Sequence, residues 1–141
     1  MSRFICLMLF VVIVGTGCHY DGQDLTNTHY NGYVVGAVYR LQKQMELAHD
    51  NAEHVPSNYR ICDNMPPDSP YVDGILPSGT RIRFAKTVWA ASHEGGGDPV
   101  AYGAILDPPF ASKLVNLCYV SDERAEEQAK PDTNILAIVQ N

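Results

Sequence analysis

From residue 32 onward the chain alternates short runs of β-branched and aromatic side chains with clusters of turn formers. Residues 33–41 hold Tyr33, Val34, Val35, Val38, Tyr39 and Leu41, a set that suits a pleated, half-buried surface and predicts a strand. Residues 44–49 fit either a second strand or a helical turn. Residues 52–70 carry Pro56, Pro66, Pro67 and Pro70 among several Asn and Asp residues, which predicts a long irregular connection. Residues 71–76 then run into Pro77, Ser78 and Gly79, a tight turn by composition. In residues 80–89, Ile82 and Phe84 alternate with Arg81 and Arg83, so one strand face is dry and the other wet. Gly95, Gly96 and Gly97 break the chain. Residues 100–106, 113–120 and 134–139 supply three further strands, and Ser121 is placed to cap a short helix over 122–129 that Pro131 stops. Five to seven short strands with at most one short helix near the C-terminus predict an all-β fold, a small antiparallel barrel or sandwich spanning residues 32–141.

The first eighteen residues follow a different rule. In MSRFICLMLFVVIVGTGC a basic Arg3 precedes an unbroken apolar run over residues 4–14, and Gly15, Thr16 and Gly17 lead to Cys18. Charge, a short apolar core and small residues before a cleavage point are the order of a secretory signal over residues 1–17. The run is shorter than the roughly 20 apolar residues that a spanning helix needs. Its ending resembles a bacterial lipobox, and that resemblance implies a lipidated Cys18 as the mature N-terminus. Ordinary cleavage after Gly17, leaving Cys18 a plain thiol, is the competing reading of the same small residues. By the same resemblance, His19 after the cysteine, in place of aspartate, implies export to the outer membrane, facing the periplasm. Residues 18–31 are polar and read as a lipid-proximal tether.

Charge and cysteines narrow the function classes. Ten Lys and Arg against sixteen Asp and Glu give a net charge of −6, which becomes −7 once Arg3 leaves with the signal. A scattered minority of cations on an acidic chain is a poor fit to nucleic acid. Cys6 leaves with the signal, so Cys62 and Cys118 remain as an even pair in an oxidising compartment, either bridged or buried as separate thiols. Neither has a second cysteine at metal-ligand spacing, and no HxH, HxxxH or HExxH pattern links His19, His29, His49, His54 and His93. No metal and no cofactor is expected. The glycine run has acidic neighbours, Glu94 and Asp98, which would repel a phosphate.

Residues 69–84, reading SPYVDGILPSGTRIRF, resemble the central hairpin of bacterial Src-homology-3-like barrels, in which one strand ends in Leu-Pro-x-Gly-Thr and the next begins with Arg. The resemblance implies a barrel built around that hairpin and carries over no binding residues.

No nucleophile motif of the GxSxG type occurs, and the densest charges, Asp122, Glu123, Glu126 and Glu127, form an acidic patch suited to steering a partner or to a solvated face. The chain is therefore expected to be a non-enzymatic envelope lipoprotein whose barrel binds an envelope protein or a cell-wall component. An aromatic groove of Tyr71, Trp89 and Tyr102 would serve that role, although Trp89 also suits the core. The alternative is a secreted inhibitor or phage-type exclusion factor acting through an exposed loop over residues 92–98.

Overall fold

The computed structural model describes residues 21–49, 56–66, 68–91, 96–122 and 128–139. The signal segment with Cys18 and His19, as well as His54, His93, the chain across 92–95 and the acidic residues Glu123, Glu126 and Glu127, lie outside the described residues. The fold is all-β: eight strands form one sheet, and the described residues contain no α-helix. The strands are β1 (Val38–Leu41), β2 (Met45–His49), β3 (Tyr59–Cys62), β4 (Val72–Leu76), β5 (Arg81–Ala91), β6 (Gly97–Ile105), β7 (Leu114–Asn116) and β8 (Leu136–Ile138), with a 3-10 turn at Cys118–Val120. Their order across the sheet is β4-β2-β3-β7-β6-β5-β1-β8, antiparallel except where β3 meets β7.

Two chain crossings connect the halves of this sheet. β1 passes into β2 and β4 passes into β5, yet β1 pairs with β5 and β2 with β4. Each crossing therefore carries the chain from one half of the sheet to the other, and the two crossings lie side by side. Leu41 and the turn after β4 exchange backbone bonds, Leu41 N to Thr80 O at 2.9 Å and Gly79 N to Leu41 O at 2.8 Å, while Ser78 Oγ donates to Gln42 O at 3.1 Å. Gly79 sits at φ 94°, where a side chain would be strained. The hairpin expected across residues 69–84 is thus half right. Pro77, Ser78 and Gly79 do make the turn, but its two arms pair with different partners instead of each other.

All eight strands send a buried side chain into one core: Tyr39, Leu41, Met45, Leu47, Ile61, Leu76, Ile82, Phe84, Ala101, Ile105, Val115 and Leu136 among them. Along β5 the expected register holds, with Ile82 and Phe84 buried while Arg81 and Arg83 face water. A bulge between Phe84 and Lys86 then shifts the register, and both Thr87 and Val88 are buried.

The segment expected to be a tether instead pairs along the part of β5 that lies beyond β1. Gly22 N donates to Trp89 O and Leu25 N to Thr87 O, each at 2.8 Å, and Asp24 pairs with Val88 as an isolated bridge. Leu25 is fully buried. Asn31 locks the segment by donating to Thr26 O and Tyr33 O and accepting from Thr87 Oγ1. Residues 21–31 are docked because their polar side chains satisfy one another and the exposed edge of β5, so polarity here serves hydrogen bonding rather than solvation.

Two further expectations change. The Pro-rich stretch contains β3, whose four residues Tyr59, Arg60, Ile61 and Cys62 form a strand between β2 and β7. Ser121 caps no helix: it is extended, with ψ 152°, pairs with Pro131, and its Oγ lies 2.8 Å from the Tyr33 hydroxyl. The expected helix over 122–129 falls largely outside the described residues.

Candidate functional site

β4 is one edge of the sheet, with β2 as its only described strand neighbour. Its outward face, together with that of β2, forms a groove of about 470 Å³ lined by Gln44, Glu46, Met65, Val72, Asp73, Gly74 and Ile75. Local sequence explains how the groove arises. Glu46 and Ile75 are cross-strand partners on the face opposite the core residues Met45 and Leu76. A register shift between Leu47 and Ala48 leaves Asp73 without a partner in the ladder and turns its carboxylate toward His49, whose Nδ1 is 2.8 Å from Asp73 Oδ2. Tyr71 packs edge-on against the same imidazole with ring centroids 6.2 Å apart. On the inner side, Phe110 lies directly over Gly74, and a Cβ there would sit 2.4 Å from its Cζ. Glycine at 74 therefore lets the Phe110 ring close the core beneath the groove.

The groove is mixed in character. Met65, Val72 and Ile75 make apolar walls, and Ile75 and Tyr71 are about half exposed, at 47% and 48%. Glu46 and Asp73 bring two carboxylates, and no Lys or Arg among the described residues lines it. Glu46 Oε2 is buried and accepts no hydrogen bond among the described residues. Lys43, in the bend between β1 and β2, is engaged by Asp63. The His49–Asp73 pair sits at the open rim, with both side chains about one-third exposed.

The three aromatic residues expected to form one binding groove do not converge. Tyr102 is 1% exposed on β6, inside the molecule, and cannot meet a partner. Trp89 is partly buried on β5 with its ring edge-on to Tyr30 at 6.1 Å. Only Tyr71 is displayed, beside the β2–β4 groove. Tyr102 stands between Lys86 of β5 and Asn116 of β7 in the ladders, on a central strand of the sheet.

The cysteines lie in adjoining elements. Cys62 is buried at the end of β3, Cys118 is exposed at the start of the 3-10 turn, and no disulfide between them is drawn in this structure. No three His, Cys, Asp or Glu side chains gather as a metal-binding group among the described residues.

Electrostatic tuning is concentrated away from the groove. Arg81 grips Asp107 through its backbone N–H and its guanidinium, at 2.6 to 3.0 Å, and holds that carboxyl below the usual range. Burial pushes the Tyr33 hydroxyl well above its ordinary value. Both are structural groups rather than parts of a cleft.

Sequence reasoning missed the groove because its lining comes from three separated segments, two of them partners only through the crossed pairing of β2 with β4. The alternation of Ile75 with Leu76 was the one local signal. The chain matches no known protein-family model, no curated protein and no solved structure.

Proposed function

We propose that this chain is a non-enzymatic lipoprotein of the bacterial cell envelope, anchored at the outer membrane through Cys18 and facing the periplasm, whose barrel binds an envelope protein or cell-wall component. The address rests on the lipobox-like order of residues 1–18. The binding role rests on one observation: an edge strand of the described sheet that displays Tyr71 and Ile75 beside a groove with two carboxylates. Exposed apolar side chains grouped with aimed polar groups are the usual composition of a contact surface. Attachment through several acyl chains would be effectively permanent, at about 0.8 kcal/mol per buried CH₂.

In that oxidising compartment we also propose a Cys62–Cys118 bridge. The packing of β3 against the 3-10 turn supports it, because Cys62 ends the one and Cys118 begins the other.

Intact mass of the membrane-extracted protein tests the anchor. An acylated chain beginning at Cys18, and a Cys18→Ala variant released from membranes, are the expected results. An unmodified N-terminus would overturn the anchor. Cross-linking in intact envelopes through a photoreactive group at Tyr71 tests the binding surface, with a discrete adduct expected.

One observation favours the inhibitor reading as runner-up. β5 and β6 are eleven and nine residues long, while the other strands have three to five, so they pair over a greater length than any other two described strands. An adduct formed through the end of that hairpin and not through Tyr71 would favour insertion into a partner's cleft.

A further inference from the structure

Glu46 places a carboxylate on the outer face of β2. The position faces away from the core on β2, yet its Oε2 is out of contact with water and takes no hydrogen bond among the described residues. Arg60 lies diagonal to it on the same face across the β2–β3 ladder, and its buried Nε makes no hydrogen bond to that oxygen. A carboxylate oxygen in this state costs stability unless a donor arrives from outside. The groove is the route by which one can arrive. Its walls are Met65, Val72 and Ile75, and Asp73 stands at the rim, oriented by His49. An anionic floor with apolar sides matches a long cationic side chain, whose methylenes pack while the head group pairs.

The edge position of β4 says how such a side chain would be delivered. A strand edge accepts an extended segment lying alongside it. With strands about 4.8 Å apart, a segment beside β4 runs two spacings from β2. A Lys or Arg stem crossing over β4 and the Glu46 side chain reaching back together close that gap. We infer that an extended segment of a partner protein lies along β4 and places a Lys or Arg side chain in this groove, its head group drawn to the Glu46 carboxylate and its stem against Met65, Val72 and Ile75. This names the partner chemistry of the binding protein proposed above and rests on that reading.

The test uses the full chain in detergent and two dye-labelled peptides, one alternating Val with Lys and one alternating Val with Glu, followed by fluorescence anisotropy. The Lys peptide is expected to bind with an affinity that falls as salt rises, and the Glu peptide to bind not at all. Glu46→Gln should weaken the Lys peptide by about tenfold or more, while melting no lower than the parent, because the unpaired charge is gone. Asp98→Asn, at an exposed position on β6, should change nothing. Ile75→Lys, at an exposed site that folding tolerates, should block the groove with its own ammonium and serves if Glu46→Gln fails to fold. Equal affinity for both peptides, equal losses in the Glu46 and Asp98 variants, or no binding would each overturn the inference. A chain that takes the Lys peptide in a Glu46-dependent way but carries no lipid would overturn the envelope reading and leave the groove assignment standing.

Discussion

Phe84 shows how a single side chain reports the register of the whole sheet. It is 2% exposed and stacks on Tyr33 with ring centroids 5.2 Å apart, while its neighbour Arg83 points to water. Phe84→Ala is expected to cost about 3–5 kcal/mol and Arg83→Ala no more than about 0.5 kcal/mol, read from urea denaturation. The opposite ranking would mean that β5 is displaced by one residue. Asp107 makes a second residue-scale prediction. Its carboxyl is held low, chiefly by the Arg81 side chain and then by the Arg81 backbone N–H. A folded pKa below the unfolded value of about 3.9 means stability that is present above that value and lost as pH falls through the folded one. Asp107→Asn should therefore flatten part of the decline in melting temperature below about pH 4, by a small amount because the pair is solvent-screened. Asp24, held low by Thr26, adds a decline of the same sign and persists in that variant.

At the scale of elements, strands were legible where period-2 alternation met a turn, as in residues 71–89. They were illegible where hydrogen bonding replaced hydrophobic pattern. β3 has four residues inside a Pro-rich stretch, too few for alternation to stand out, and it is a strand because β2 and β7 pair with it on both sides. The polarity of residues 18–31 predicts a tether, yet Leu25 anchors the described part of it and Asn31 and Thr87 bond across the joint. Leu25→Ala is expected to destabilise the protein by about 2–5 kcal/mol, the range for a fully buried leucine, measured by thermal denaturation. A free tether would make that substitution silent. Protection of the Leu25 and Trp89 amides from hydrogen exchange would report the same docking, since both donate across the joint.

At the scale of the molecule, the Cys62–Cys118 bridge would close a long loop and stabilise the fold by roughly 4 kcal/mol in the chain-entropy account. The expected result is no titratable thiol in a Cys18→Ala variant under non-reducing denaturation, together with a melting temperature lowered by reductant. Two titrating thiols would exclude the bridge. The amino-acid sequence by itself determined the all-β class, the turn at Pro77, Ser78 and Gly79, and the inward register of Ile82 and Phe84, because these follow from side-chain period and local backbone preference. Only the tertiary structure decided that β4 and β5 part after their turn, that Tyr102 is interior, and that Glu46, Asp73 and Met65 share one groove. Pairing between strands far apart in the chain is chosen by how the whole core closes, and no local stretch of sequence carries that choice.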